Sequence, residues 1–313
     1  MKNFGVVGVG GYIAPRHLKA IRDTGNRLVA ACDPKDSVGQ LDQFTFEVRF
    51  FTEIERFDRH LEKLRRAPED QRLHYLSVCS PNYLHDAHCR LGLRVGADVI
   101  CEKPLVINPW NLDALAELEQ ETGRRVYSVL QLRVHDKLLA LRERLLKGRG
   151  PKHDVVLTYV TARGPWYDVS WKGSEEKSGG VPTNIGVHFF DMLMWMFGQP
   201  EGMRVHVHED RRWSGMIELE RARVRWFLSV DAKDLPFVPV PGGKATHRSI
   251  TVDGSEVEFS DGFTDLHTRV YEQMLAGKGF GIAEARPAIQ LVSDVRHLPV
   301  TAPGGDAHPL LLR

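Results

Sequence analysis

The sequence predicts a two-domain α/β protein. A doubly wound parallel sheet comes first, and an α/β domain with a large, mostly antiparallel open sheet follows. Three observations predict this. The chain has 313 residues, and at roughly 100–200 residues per domain that suits two. Up to residue 130, short apolar runs alternate with amphipathic stretches, the rhythm of strands and covering helices. Beyond residue 154, strand-like runs follow one another with no helix between them. The domains are accordingly placed at 1–130 and 131–313.

The first domain reads as strands at 4–9, 27–32, 73–79, 98–101 and 125–130, with helices at 14–24, 54–66, 84–95 and 112–122. Gly96 stops the third of these helices. In the second domain strands are expected at 154–161, 204–208, 216–219, 224–230, 249–252 and 256–259, and helices at 187–197, 265–276 and 283–297. Asp253-Gly254 is a hairpin-turn signal. The basic amphipathic stretch 138–149 reads as a helix joining the domains, and no repeat or low-complexity segment is visible.

Composition excludes several classes of function. Lys and Arg number 42 against 41 Asp and Glu, a net charge of +1, so there is no broad basic field for a nucleic acid backbone. The hydrophobic share of 42% and charged share of 27% are ordinary for a soluble globular protein. Cys32, Cys79, Cys89 and Cys101 lack CxxC spacing, which argues against zinc or a disulfide framework and fits a reducing cytosol. The N-terminal apolar run leads straight into glycines rather than a cleavage site, and the most apolar helix, 187–197, is too short to span a bilayer. A cytoplasmic protein without a membrane contact is expected.

Gly8-Val9-Gly10-Gly11-Tyr12-Ile13 lies between the first strand and the first helix. Such glycines let the backbone turn tightly and approach a pyrophosphate seated on the helix N-terminus. Ile13 stands where the third glycine of the fingerprint usually falls. Asp33, 23 residues past Gly10, ends the second strand. A carboxylate there accepts both ribose hydroxyls and repels a 2′-phosphate, which favours NAD over NADP. On its own, Asp33 also reads as a turn residue before Pro34.

Ser80-Pro81-Asn82 and Glu102-Lys103-Pro104 each follow a parallel strand, at the end where open α/β sheets bind ligands. An ammonium at Lys103 can orient a hydroxyl and stabilise an alkoxide as hydride leaves; position carries that reading, because most lysines are surface charges. With these motifs the chain resembles the glucose–fructose oxidoreductase / inositol dehydrogenase / MocA family. Thr183-Asn184-Ile185-Gly186-Val187-His188 resembles the family's Asp-x-Gly-x-His motif, with Asn184 in place of Asp. The resemblance implies a catalytic set of Lys103, His188 and Asn184, although a lone histidine on an apolar helix also reads as a core residue. Asn184 can hydrogen-bond a hydroxyl but cannot act as a base, so His188 and Lys103 share the proton transfer. The expected cofactor set is Gly8, Gly10, Gly11, Tyr12, Ile13, Asp33, Ser80, Pro81, Asn82, His85, Glu102, Lys103 and Gln131.

The second domain opens with a dense run of aromatic and cationic residues, Arg163, Trp166, Tyr167, Trp171 and Lys172. The cations can neutralise phosphates or a carboxylate, and the rings can stack on a sugar or base; a rigid covering loop is the alternative. The run resembles the UDP-N-acetyl-D-glucosaminuronic acid 3-dehydrogenase branch of the family, which serves bacterial surface-polysaccharide (O-antigen) synthesis. That implies oxidation of a sugar C3 hydroxyl, with 2-oxoglutarate a candidate for reoxidising NADH. The implied substrate set is Lys103, Arg163, Tyr167, Trp171, Lys172, Asn184 and His188. An inositol- or aldose-type dehydrogenase is the enzymatic alternative, and an NAD-binding sensor the non-enzymatic one. An exposed apolar sheet face would seek a partner, and the family implies a homo-oligomer, dimer or tetramer. His85-x-x-His88 has metal-like spacing but no third ligand, so no metal is expected, and His206-x-His208 reads as two imidazoles on one solvated strand face.

Overall fold

A computed structural model describes residues 1–36, 38–148, 150–240, 242–257 and 265–312. The chain falls into two compact units. The first comprises Met1–Val134 with Thr264–Arg286, and the second His135–Phe263 with Pro287–Arg313.

The first unit begins with β1 (Asn3–Val7), α1 (Ala14–Asp23), β2 (Arg27–Cys32), β3 (Arg49–Phe51), α2 (Ile54–Arg65), β4 (Tyr75–Val78) and α3 (His85–Arg94). It continues with β5 (Asp98–Cys101), α4 (Trp110–Thr122) and β6 (Val126–Ser128). The sheet order is β3-β2-β1-β4-β5-β6 and every pairing is parallel. All five residues of β1 are buried, as a strand covered on both faces requires. The order in which strands are added reverses between β1 and β4, so the turns after these two strands flank the switch point at which such sheets bind ligands. The edge strand β3 carries no signal in the sequence. Three residues, Arg49-Phe50-Phe51, are too few to show a period.

The second unit contains α5 (Asp136–Lys147), β7 (His153–Thr161) and the short helices α6 (Trp166–Val169) and α7 (Glu175–Ser178). The π-helical turn Pro182–Gly186 leads directly into α8 (Val187–Phe197). Then come β8 (Pro200–His208), β9 (Arg212–Leu219), β10 (Ala222–Ser229), β11 (Thr246–Val252) and β12 (Ser255–Glu256). The sheet order is β12-β11-β7-β10-β9-β8, antiparallel except for β7 against β10. Asp253, at φ 51°, and Gly254 form the expected two-residue hairpin. The expected strand 256–259 starts as part of β12, and its residues 258 and 259 lie outside the described residues, as does Arg149 of the expected helix 138–149.

One face of this sheet packs under α8, where Trp226 meets Phe190 edge-on at 5.4 Å. The exposed part of the other face is charged rather than apolar. Arg223 pairs with Glu218 at 3.0 Å, Arg225 with Asp154 at 2.6 Å, and Lys152 with Glu218 at 2.9 Å. His206 and His208 also depart from expectation. A register shift between Val205 and Val207 breaks the alternation, so His206 is buried while His208 lies against the Trp213 ring at 3.6 Å. Helix α9 (Leu266–Leu275) belongs to the first unit, and the unit boundary falls at Pro287 within α10 (Ile282–His297). No helix of the described residues is long and apolar enough to cross a membrane.

Candidate active site

In the first unit the glycine turn is shaped by contact with the neighbouring strand's turn. Gly8 has φ +83°, and a Cβ built there would stand 2.5 Å from the Ser80 nitrogen and 2.6 Å from the Cys79 carbonyl carbon. Only glycine lets the β1 and β4 turns close this far. The Gly8 and Val9 N–H groups donate to the Cys32 carbonyl, which ties the same turn to the end of β2. Asp33 follows there, 7% exposed. One carboxylate oxygen accepts the Gly10 N–H at 2.8 Å and the other the Lys35 N–H at 3.0 Å.

Helix α1 starts immediately beyond. Its first turn has no acidic residue and no side-chain cap to neutralise the positive end of the helix dipole, although Pro15 has no N–H and the Ala14 and Arg16 N–H groups donate to the Gly11 and Ile13 carbonyls. That end attracts an anion. A glycine cradle, an uncapped helix start and a carboxylate at the end of β2 fit the pyrophosphate and ribose of NAD. Tyr12 is 86% exposed beside this turn, with Gly11 and Ile13 half-buried.

The turn after β4 is braced by the two histidines of α3. His88 Nδ1 lies 2.8 Å from the Ser80 hydroxyl, and burial pulls its imidazole down to about 4. His85 Nε2 is 2.8 Å from the Ser80 carbonyl and its Nδ1 is 2.7 Å from the Pro104 carbonyl. His85 is therefore occupied on both nitrogens and only 1% exposed. It joins the turn after β4 to the turn after β5 through these two carbonyl contacts, a fixing role. Burial lowers its affinity for a proton against the opposing pull of the two carbonyls.

Glu102 likewise points into the protein, onto His17 and His267, while Lys103 is half-buried ahead of a cis peptide bond to Pro104. Asn82 is buried and Pro81 half-buried in the β4 turn. Gln131, just past β6, keeps a buried Oε1 without a hydrogen-bond partner among the described residues.

In the second unit the sequence-predicted residues gather around α6 and the π-helical turn. Tyr167 is 1% exposed; burial pushes its hydroxyl up, and the adjacent Asn184 side chain opposes that. Asn184 sits inside the π-helical turn, a distortion often found at functional sites. His188, one turn on at the start of α8, is 9% exposed and packs on the Phe189 ring at 4.2 Å. The Lys172 ammonium lies 5.5 Å from the Trp171 ring and 5.6 Å from the Trp166 ring. Burial, and then the charge of Arg163, pull its proton affinity below the ordinary lysine value. Two cations this close in a chain of near-zero net charge form a local anion attractor.

Sequence reading missed several groups. Arg211 donates to Asp168 at 2.6 Å and to the Arg163 carbonyl at 2.6 Å, and its guanidinium lies over the Tyr167 ring, so it fastens the aromatic loop. Arg248 lies over the Tyr159 and Phe189 rings. Within their strand and turn patterns both look like ordinary surface charges. His17, by contrast, shares the buried face of α1 with Ala14, Leu18 and Ile21, a spacing legible in the sequence.

Two family profiles match this chain. One, described as oxidoreductase family, NAD-binding Rossmann fold, covers residues 2–130; the other, the oxidoreductase family's C-terminal alpha/beta domain, covers 153–254. Among solved structures, the WlbA (WbpB) dehydrogenase from Thermus thermophilus in complex with NAD and alpha-ketoglutarate is 53% identical, with a TM-score of 0.94 over 99% of this chain and 100% of that one. The same enzyme in complex with NAD and UDP-GlcNAcA gives a TM-score of 0.93 at the same identity and coverage. The Bordetella pertussis WlbA dehydrogenase, at 19% identity and a TM-score of 0.75 over 96% of this chain and 98% of that one, shares the fold. The D-glucoside 3-dehydrogenase of Escherichia coli (strain K12) is 30% identical over 140 residues, 42% of this chain. The match spans only 38% of that relative's length. With its glycine turn, Asp33 and Lys103 inside one matched profile and Asn184 and His188 inside the other, the chain belongs to the Gfo/Idh/MocA oxidoreductase family, and its first unit is an NAD-binding Rossmann domain.

Proposed function

We propose that this protein is an NAD-dependent dehydrogenase that oxidises the C3 hydroxyl of UDP-N-acetyl-D-glucosaminuronic acid to a ketone, in the synthesis of a bacterial surface polysaccharide. The observation that carries the reading is the 53% identity, across 99% of the chain, to a dehydrogenase solved with NAD and UDP-GlcNAcA. The E. coli relative is by name a 3-dehydrogenase, which supports the ring position.

NAD, when bound, supplies the hydride acceptor. The chain's own residues do the rest. The glycine turn and the start of α1 take the pyrophosphate, and Asp33 takes the ribose hydroxyls. Lys103 holds the oxygen of the reacting hydroxyl and stabilises the charge that grows on it as hydride departs. His188 takes the hydroxyl proton, and Asn184 orients the same oxygen without acting as a base. Arg163 and Lys172 meet the diphosphate or the uronate, and Trp171 and Tyr167 shape that pocket in the second unit. The same cations suit a dicarboxylate, which supports 2-oxoglutarate as the species that reoxidises NADH. The working form is a homo-oligomer in the cytoplasm.

The test is mass spectrometry of the sugar nucleotide after incubation with the protein, NAD and 2-oxoglutarate. A product lighter by one hydrogen pair, trapped by a carbonyl reagent, is the expected result. An unchanged sugar nucleotide, in protein that retains bound NAD, would overturn the substrate assignment.

A further inference from the structure

Behind Lys103 lies a buried polar array that the proposed chemistry does not use directly. Glu102 Oε1 is 2.9 Å from His17 Nε2 and 2.8 Å from His267 Nε2. His17 Nδ1 is 2.7 Å from the Tyr271 hydroxyl, which is 2.7 Å from the Ser77 hydroxyl. The remaining Glu102 oxygen accepts the Lys103 N–H at 3.2 Å. His17, Glu102, His267, Ser77 and Tyr271 are all buried. Glu102 precedes Lys103 directly, His17 comes from α1, and His267 and Tyr271 come from one face of α9 at a spacing of four. The returning segment thus reaches the catalytic turn from behind, within the first unit.

We propose that His267 and Tyr271 are positioning residues for the dehydrogenation. Together with His17 they hold the Glu102 carboxylate in place, and that carboxylate holds the backbone of Lys103. The proton assignment follows from chemistry. A carboxylate only accepts, so both imidazoles present Nε2–H to Oε1. His17 Nδ1 then accepts from the Tyr271 hydroxyl, which accepts in turn from Ser77. Among the described residues, His267 Nδ1 is the one atom of this array that is buried without a hydrogen-bond partner. His267 therefore contributes a single donor to the array.

The electrostatics agree. Burial alone would push the Glu102 carboxyl up, yet the hydrogen bonds from His17 and His267 outweigh it and hold it well below the ordinary carboxylate range. Burial lowers the proton affinity of His17 against the opposing pull of Glu102. The other groups that face Glu102 are His85 from α3 and the Cys79 and Cys101 thiols at the ends of β4 and β5, with Arg16 acting on His17. The three ligand-capable groups His17, Glu102 and His267 also lie close enough together to hold a metal ion. Their nitrogen-to-oxygen distances are those of N–H···O hydrogen bonds, and a metal is made one arm of the test.

The experiment compares His267→Leu, His267→Gln and Tyr271→Phe. Infrared spectroscopy reads Glu102 directly, as a protonated-carboxyl band that Glu102→Gln abolishes. The pH dependence of kcat reads its consequence. With one donor lost, burial prevails and the carboxyl takes a proton at higher pH. In His267→Leu the band is expected to appear within the working range, with the acid limb of kcat displaced upward by about one pH unit, the scale of one hydrogen bond to a charged group. KM for the sugar nucleotide should stay constant. His267→Gln, whose amide restores a donor, should keep the wild-type limb, and Tyr271→Phe should fall between. A uniform loss of kcat at all pH values, no carboxyl band in His267→Leu, or a stoichiometric divalent metal in the purified protein would each overturn the proposal. Only the turnover readout rests on the proposed substrate. If the wild type does not oxidise that sugar nucleotide, the infrared band still decides the role of Glu102.

Discussion

The contact between the β1 and β4 turns makes Gly8→Ala the most sharply defined perturbation in the molecule. Two costs add. A residue with a Cβ at φ +83° pays for a left-handed backbone, about 1–2 kcal/mol. Its Cβ would also meet Ser80 N and the Cys79 carbonyl at 2.5–2.7 Å. These are backbone atoms, so no side-chain rotation relieves the clash, and overpacking of this kind costs about 1–3 kcal/mol. The sum is about 2–5 kcal/mol, which at roughly 2–4 °C per kcal/mol lowers the unfolding midpoint by about 4–20 °C. Gly25 provides the control, with φ +71° and nothing within 4 Å of a built Cβ. Gly25→Ala should cost only the backbone term of about 1–2 kcal/mol. Calorimetric unfolding of both variants separates the terms, and NAD titration adds a second axis. Gly8→Ala is expected to bind NAD at least tenfold more weakly, because relief of the clash parts the two turns, while Gly25→Ala binds as the wild type does. Equal midpoints for the two variants, or an unchanged NAD affinity in Gly8→Ala, would refute the claim that the close approach of these turns builds the cofactor site.

Other consequences are testable at single residues. Lys103→Met should lower kcat by a factor on the order of 10²–10³, the range of a lost group that stabilises charge on the reacting oxygen, while the NAD dissociation constant stays nearly constant by calorimetry. Asp33→Asn replaces an acceptor-only group that receives the Gly10 and Lys35 N–H groups. NAD affinity should fall by about 1–3 kcal/mol, and discrimination against NADP should shrink in competition titrations. Lys172 is held below the ordinary lysine value by burial and then by Arg163, so its charge is lost at lower pH than that of a free lysine. KM for the sugar nucleotide should therefore rise on the alkaline side, and Arg163→Gln should move that rise to higher pH even as it weakens binding throughout; an unmoved limb would dissociate Lys172 from the anion.

Much of the fold was legible because its elements carry strong periods. Helix α8 spans the expected residues, 187–197, since a run of apolar residues between Gly186 and Gly198 leaves little choice of ends. The parallel strands of the first unit are short apolar runs between turn residues, which is what burial on both faces demands. What escaped lacks local cause. The edge strand β3 exists because β2 offers it an open edge, and the burial of His206 depends on a register shift that only the pairing of β8 with β9 creates. The glycine turn, Asp33 and Lys103 were legible because each follows a strand directly, so position in sequence fixes position in space. The His267 and Tyr271 contacts were not, for they join residues 165 and 194 positions from their partners Glu102 and Ser77. His85 was expected beside the cofactor, and its place in the chain is near; its orientation toward two carbonyls could come only from the fold.

The two units solve opposite electrostatic problems. In the first, several charged or polar groups around the Glu102-Lys103 turn are fixed by short contacts. Asp33 rests on two backbone N–H groups, Ser80 on two imidazoles and Glu102 on two more. Such satisfied networks resist reorganisation, which suits hydride transfer, where orientation and preset dipoles supply most of the rate. In the second, Lys172 and Arg211 lie against aromatic faces, and Lys172 carries the partly desolvated charge that a neighbouring Arg163 further destabilises. A cation kept in that condition gains more from an arriving anion than a hydrated surface lysine does, because the anion relieves a repulsion already present. Binding energy drawn from such an anion is then available to orient the rest of the molecule that carries it.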